Sequence, residues 1–457
     1  MAKKEELVDF GLNSAKLTEF SVQEFFDDSL RLYSAHSNVR GIPFIGDGFK
    51  EAQRKAMWGM LQRGENAGLI SVERVSATCA AETDYHHGIG SMQGTIIGLA
   101  QNFAGSNNVN FLVPEGQFGS RRSHSASAPR YIETKIDDNF RKIFRKEDDI
   151  ILSRKKAGDL LIEPKYFIPI LPTVLLNGAE GMGTGHSTHI FAYSVKDIKA
   201  AVLDVLADKK LTPLKLTPSW VDFTGTVERD QENGQVKVTG NYVTENTTTI
   251  RVTELPVGLQ SDAYEDHIWK LIDKGLVKSF KNASDDTGFD FILTIPRTTY
   301  YMDRAELLKL LKLEQRDSEN FTVWGPDGTI EKYENAEALL TDFVAWRLER
   351  YEDRRVKQIE LTTAQIAWYE EAIKFIEFYL ENVQKFRNIS KEDMIAILVE
   401  AGFVNYDRLL SMPIWSLTRD RIADLEEKLS GERVKLDKLN SDTAQKMYER
   451  ELKELKL

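Results

Sequence analysis

From about residue 336 onward glycine nearly vanishes, and Glu, Lys, Arg, Leu and Ala dominate. In that stretch Ile366, Tyr369, Ile373, Ile376, Leu380 and Val383 recur at alternating spacings of three and four. Such a rhythm keeps one apolar seam on a helix, and the seam needs a partner to cover it. A second seam runs through Ile422, Leu425, Leu429, Leu436 and Leu439, interrupted by Glu432. Roughly 40 residues separate the seams, so the pattern predicts two long antiparallel helices with a small helical knot between them. A plain helical bundle packed on the body is the alternative the pattern leaves open.

The rest of the chain follows other rules. Residues 247–253 and 289–295 are rich in β-branched and aromatic types and read as strands. Between them Asp262 to Lys274 carries a helical pattern, with Ser261 or Asp262 placed to cap it. Residues from about 41 to 150 are dense in Gly, His, Ser and Arg, the types used in functional loops. The expected fold class is therefore α+β and multidomain. Its segments are a leader with helical pieces (1–40), a motif-rich domain (41–150), a mixed α/β domain (151–335) and the helical region (336–457).

Composition limits the function. The 457 residues carry a formal net charge of −11, which argues against coating a nucleic acid through bulk positive charge. A local basic stripe remains compatible with DNA binding. Cys79 is the only cysteine, so an intrachain disulfide is excluded and a reducing compartment fits. No run has the length and apolarity of a membrane span, and the first residues lack a signal-peptide core. A cytoplasmic location is expected.

One loop concentrates chemistry. Between Gly116 and Tyr131 lie two glycines, small residues, Arg121, Arg122 and His124, and the loop ends on Arg130-Tyr131. Guanidinium forks and backbone amides in such a loop suit phosphate oxygens. A tyrosine hydroxyl, with an ordinary pKa of about 10, needs help to act as a nucleophile. A neighbouring cation supplies that help and also steadies charge on a pentavalent phosphorus. Spacing alone leaves open the alternative that Tyr131 packs in a core and Arg130 pairs with a surface acid. Two further clusters bear on the choice. Lys50, Arg54 and Lys55 sit where a turn enters a helix, suited to a phosphate backbone or to a solvated helix face. His86 and His87, followed by Gly88, offer imidazoles for hydrogen bonding or proton relay, or for a structural pair.

The order of motifs is more specific than any one of them. YHHG at 85–88, TIIGLAQNF at 95–103, GSNN at 105–108, GQFG at 116–119 and Arg130-Tyr131 occur in turn. PILP at 169–172, NGAEGMGTG at 177–185, TELP at 253–256 and LSMPIWSLT at 410–418 follow. This series, over about residues 40 to 450, resembles the breakage-reunion region of type IIA DNA topoisomerases. The form is closer to the eukaryotic and T-even-phage type than to bacterial gyrase.

The resemblance implies a winged-helix DNA-gate domain over 41–150, an α/β tower domain over 151–335, and a long antiparallel coiled coil with a helical C-gate over 336–457. It implies that Tyr131 is the nucleophile forming a 5′-phosphotyrosyl link, that Arg130 stabilises the transition state, and that Arg54 and His87 complete the catalytic set. Lys50, Lys55, His86, Arg121 and Arg122 are then expected to bind DNA. Met182 falls where the family places an isoleucine that wedges between base pairs. Double-stranded DNA and a second copy of the chain, joined at the DNA gate and the C-gate, are the implied partners. No ATPase phosphate loop and no Toprim-type acidic cluster is found. Asp285-Asp286 lacks the expected glycine context. The resemblance therefore places Mg²⁺ on a partner Toprim domain and ATP on a partner subunit, with no metal held by this chain. A chain of this extent looks like the medium subunit of a T-even-type phage topoisomerase, an ATP-dependent isomerase in the host cytoplasm. The competing classes are an architectural DNA-binding module and a purely structural coiled-coil protein. The joint presence of Arg54, His87, Arg130 and Tyr131 favours the enzyme.

Overall fold

A computed structural model describes residues 21–285 and 288–457. Residues 1–20 of the expected leader, and Asp286 of the acidic pair, lie outside the described residues.

Helix α1 (Arg31–Gly41) leads into α2 (Glu51–Gln62). A short strand β1 (Ile70–Ser71) runs directly into α3 (Val72–Glu82), whose first turn is capped by the Ser71 hydroxyl. Helix α4 (Ile89–Ala100) follows, and β2 (Glu133–Thr134) pairs antiparallel with β1. Residues 113–115 add to β2 through backbone bonds between Val113 and Lys135 and between Glu115 and Glu133. Three helices and a small ribbon thus form one unit. Met57, Met60, Val75, Cys79, Met92, Ile96 and Leu99 interlock inside it, all buried. Each such side chain contributes about 1.5–3 kcal/mol by leaving water.

Strands β3 (Ala179–Gly183) and β4 (His186–Ile190) form a hairpin closed by Thr184 and Gly185, and Gly185 takes a φ of +77°. That turn needs a residue without a Cβ penalty. The hairpin backbone lies against α1. A Cβ on Gly181 would overlap the Gly41 carbonyl oxygen, and one on Gly183 would overlap Asn38. Helix α5 (Val195–Leu206) then returns to the main core.

The central region holds two antiparallel sheets. Strands β5 (Thr226–Arg229), β6 (Val236–Thr239) and a later strand form one. Strands β7 (Asn241–Asn246) and β8 (Thr249–Glu254) belong to the other. Helix α6 (Ser261–Asp273) covers that second sheet, which β9 (Ser279–Asn282) and β10 (Phe291–Thr294) complete in the order β9-β10-β8-β7. Ile250, Val252, Tyr264, Ile268, Phe291 and Leu293 make its separate core. Strand β11 (Glu314–Asp317) pairs with β6, and β12 (Phe321–Trp324) pairs with β13 (Ile330–Tyr333). Helix and strands here agree with the sequence reading of 247–253, 262–274 and 289–295, but the cap does not: Gln260 holds the N-cap position with no side-chain bond, and Ser261 and Asp262 lie inside the helix.

Helix α7 (Ala336–Glu381) runs unbroken for 46 residues. Two short helices, α8 (Lys391–Glu400) and α9 (Tyr406–Leu410), turn the chain back into α10 (Arg419–Ser441). Arg355 reaches the Leu439 carbonyl while Arg433 pairs with Glu370, so α7 and α10 run antiparallel. The second seam is right: Leu425, Leu429 and Leu439 are buried, and Glu432 sits half-buried among them. The first seam ends early. Ile376 is buried as expected, Ala372 and Phe375 join it in the buried stripe, and Leu380 and Val383 at the helix end are exposed.

The near end of α7 is buried in the body. Leu339, Leu340, Phe343, Val344 and Tyr351 join the first core, as do Met447, Tyr448 and Leu452 of α11 (Ala444–Glu454). Two buried arginines complete that junction. Arg347 donates to Asp148 at 2.7 Å, and Arg354 bonds Glu451 at 2.5 Å and Asp148 at 3.3 Å. Among the described residues no helix is long and apolar enough to cross a membrane.

Candidate active site

Tyr131 stands at the beginning of α3. The amides of Val72 and Glu73, unpaired at that helix start, donate to the carbonyls of Ile132 (3.0 Å) and Pro129 (3.1 Å). Ile132 is buried in the core on one side of the tyrosine. The backbone is thus pinned on both flanks while the ring of Tyr131 is 72% exposed. The packed-tyrosine alternative is overturned. Arg130 is exposed too, and its guanidinium lies 4.9 Å from the Tyr131 ring centroid. A cation is therefore held over the face of an exposed phenol ring.

The other predicted residues gather elsewhere. His87 follows α3, just before α4, and its ring lies near Tyr85 (5.3 Å) and His36 (6.1 Å). Burial holds its pKa below the usual histidine range, helped by the charges of Arg40, His36 and His86 and opposed by Glu51. His87 is thus a neutral imidazole at neutral pH, able to accept a proton. His86 is exposed and pairs with Asp84 at 3.0 Å. Lys50, half-buried at the start of α2, lies beside Gly181 and Glu180 of the hairpin. Burial lowers its pKa and Glu180 opposes that shift.

Arg54 is buried. Its Nε and Nη2 grip both Asp47 oxygens at 2.7 and 2.9 Å, and Nη2 also reaches the Phe49 carbonyl. Asp47 in turn accepts the amides of Phe49 and Phe167. Nη1 takes no part in these bonds, so the fork is locked with one nitrogen to spare. Met182, at the tip of the hairpin, is 83% exposed on a backbone clamped by Gly41.

Two expectations need correction. Lys55 does not face DNA. It is buried, with Nζ bonding the Thr83 carbonyl (2.6 Å) and Glu163 (3.1 Å). Arg121 is likewise structural: it binds the carbonyls of Leu255, Pro256 and Leu259 and pairs with Glu254. The partners in both cases lie far along the chain. Arg122 is half-buried, and its carbonyl caps Ser261.

The cations and imidazole fall into two groups. Lys55 ties the first turns of α2 to the end of α3, so Lys50, Arg54 and His87 share one end with Met182. Tyr131 and Arg130 occupy the other end of the 11-residue α3. Its length alone is about 16 Å. One chain does not bring Tyr131 to His87. Among the described residues no group of three or more His, Cys, Asp or Glu is arranged to hold a metal ion.

Comparison with known proteins gives the class. Residues 40–456 match the family described as the A subunit of DNA gyrase/topoisomerase IV. The chain belongs to that family. Among its relatives is the mitochondrial DNA topoisomerase 2 of Dictyostelium discoideum, 32% identical over 462 residues, 96% of this chain and 35% of that protein. DNA topoisomerase 2 of Leishmania chagasi is 32% identical over 444 residues, covering 94% of this chain and 35% of that one. The crystal structure of the Plasmodium falciparum topoisomerase II DNA-binding, cleavage and re-ligation domain superposes with a TM-score of 0.88 at 31% identity, over 94% of this chain and 63% of that chain. The chain therefore spans about a third of the curated relatives it matches. These relatives are eukaryotic topoisomerases 2 that extend well beyond the matched region, and none of them is a phage protein.

Proposed function

We propose that this chain is the DNA-cleaving and religating component of an ATP-dependent type II topoisomerase, with residues 41–150 as its winged-helix gate, 151–335 as its tower and 336–457 as its coiled coil and C-gate. The observation that carries the reading is Tyr131, solvent-exposed on a pinned loop with Arg130 over its ring. Its Oη attacks a backbone phosphorus, forming a bond to the 5′ side as the bond to O3′ breaks. The phenolic proton passes to neutral His87, and O3′ leaves as a hydroxyl after taking a proton from solvent water, which recovers it from the His87 imidazolium. Arg130 and the spare nitrogen of Arg54 steady the charge on phosphorus. The new ester keeps the bond energy, so the reverse attack by O3′ reseals the strand. Met182 is the apolar wedge that unstacks a base step, at a cost of about a few kcal/mol.

The family uses Mg²⁺ and ATP. No step here is routed through the metal. We assign both to other members of the assembly, on a separate polypeptide in the manner of the T-even-phage enzyme. That assembly works on double-stranded DNA in the cytoplasm.

Because Tyr131 and His87 lie at opposite ends of α3, the working site is composed from two chains: Tyr131-Arg130 of one copy faces Lys50, Arg54 and His87 of its partner. A mixture of Tyr131→Phe chains and His87→Ala chains tests this. The mixed dimer carries one intact composite site, so nicked DNA with one covalently attached chain is expected although neither variant alone cleaves. Absence of nicking in a mixture shown to contain mixed dimers would rule the arrangement out. The pH profile of cleavage is a second check. Since the His87 pKa is held down, its base form persists as pH falls through about 6.5, the usual histidine value. The acid limb of cleavage is expected below that value, and rate loss centred above it would contradict the assignment.

At the far end of α7 and α10, Ile414 and Trp415 are 79% and 81% exposed. Apolar side chains this open mark an interface, and we assign it to the second dimer contact. Replacing Ile414 and Trp415 with serine is expected to weaken self-association at least about tenfold in sedimentation equilibrium, as loss of a buried aromatic anchor does. An unchanged equilibrium excludes the contact.

A further inference from the structure

The hairpin that carries Met182 rests on a charge bridge that the cleavage chemistry leaves unused. Met182 pairs with Ser187 across the hairpin, and Glu180 pairs with His189. Alternation along the strands puts these four side chains on one face. His189 Nδ1 lies 3.5 Å from Glu180 Oε1, and its Nε2 lies 3.2 Å from Asp317 Oδ2 at the end of β11. The ring packs edge-on against Phe191, with centroids 4.8 Å apart. The strand carrying His189 is stitched to the segment after Asp317. His189 and Asn320 exchange both backbone hydrogen bonds, at 3.0 and 2.7 Å, and the Asn320 amide donates to the Ser187 carbonyl at 2.6 Å. The turn of the hairpin is held from the other side, where Asn38 donates to the Thr184 carbonyl at 3.3 Å. Met182 is therefore aimed by contacts on both flanks, and His189 is the one among them whose charge can change near neutral pH.

Charge makes the bridge matter. Glu180 is largely exposed on the same face as Met182, so an approaching duplex meets a carboxylate beside the wedge. The groups around it are few. Lys50 comes from α2, Glu180 from β3, and Asp317 from β11. Glu319, two residues on, is already occupied by Arg229 and Tyr193. Arg316 is turned to Glu314. We propose that His189, bridging Glu180 and Asp317, is a positioning residue for the Met182 wedge: it fixes the hairpin against β11 and cancels carboxylate charge where DNA must bend. The bridge rests on the wedge reading given above and adds its control. The bond to Glu180 raises the affinity of His189 for its proton, burial opposes that, and Asp317 adds to it. A raised pKa means the bridge is complete at low pH and is lost as pH rises past the ordinary histidine range.

The test measures bending of a short duplex, dye-labelled at both ends, by energy transfer in the assembled complex, with filter binding to confirm saturation. For the unaltered protein the bent fraction is expected to fall as pH rises past about 6.5, the ordinary histidine value, because the His189 proton is held more tightly than usual. His189→Gln is expected to lower the bent-to-straight ratio roughly fivefold at low pH, the size of one partly buried charged contact, and to flatten the pH curve. His189→Lys, which keeps its charge to about pH 10, is expected to hold the bend across the range. Asp317→Asn leaves the hairpin sequence intact and is expected to move the midpoint to lower pH. Met182→Ala is the control for the wedge, with bending lost at every pH. If Met182→Ala bends DNA normally, the wedge reading fails and this proposal with it. If Met182→Ala loses the bend while the His189 and Asp317 variants keep the original pH curve, the proposal alone is overturned.

Discussion

Replacing Tyr131 with phenylalanine is expected to abolish covalent attachment to DNA while leaving fold and DNA affinity intact. The change removes one oxygen from a ring that is mostly in solvent, so little packing is lost. The surrounding loop keeps its backbone bonds to α3, because those run through Pro129 and Ile132 rather than the side chain. Removing a nucleophile from an enzyme commonly costs at least about 10,000-fold in rate. In the assembled complex with Mg²⁺ and supercoiled DNA, detergent denaturation is expected to yield protein on 5′ ends for the unaltered chain and none for the variant. Thermal melting of the two chains is expected to coincide. Normal trapping by the phenylalanine variant would end the assignment of Tyr131. Arg130→Ala is expected to retain the tyrosine but slow cleavage by about 100- to 1,000-fold, the usual effect of deleting one transition-state donor.

Substituting Asp47 by alanine is expected to be the most destabilising single change near the site. Asp47 holds both Nε and Nη2 of buried Arg54 and also accepts two backbone amides, from Phe49 and Phe167. Its removal strands a guanidinium charge out of water, at about 3–5 kcal/mol. The two amides lose their acceptor as well, which adds to the cost. The first urea transition is the measurement, and a shift worth less than about 1 kcal/mol would show that Arg54 finds another partner. Combining Asp47→Ala with Arg54→Met removes the stranded charge and is expected to recover some of the stability but none of the cleavage. That split separates the structural role of the pair from the catalytic one proposed for Arg54.

The sequence and the structure agree on which of the proposed site residues are open to solvent. Tyr131, Arg130 and Met182 lie in motifs of small residues, and the structure leaves all three in solvent. Sequence and structure differ where a charge looks local but finds a distant partner. Lys55 sits on a helix start, yet Glu163 claims it from 108 positions away. Arg121 sits in a basic loop, yet the carbonyls near Leu259 claim it. No local pattern records such partners, because a basic residue at a turn looks the same whether its counter-charge is solvent, DNA or a buried acid. Arg347 and Arg354 show the same limit from the other side: they occupy the buried stripe of α7, where a hydropathy pattern expects apolar types. His189 lies opposite Glu180 in the hairpin. Only the arrival of Asp317 from a distant stretch of the chain makes it a bridge.

The 46-residue α7 is also a mechanical element. Its root is cemented into the body by Arg347, Arg354, Asp148 and Glu451, and its far end carries the apolar tip. From Arg354 to Glu381, at 1.5 Å per residue, it is a lever arm of about 40 Å. A rotation of roughly 10° at the root would sweep its end through about 7 Å. On the proposed function, small rearrangements at the cleavage site would be converted into displacements large enough to pull a pair of tips apart, with no hinge required along the shaft.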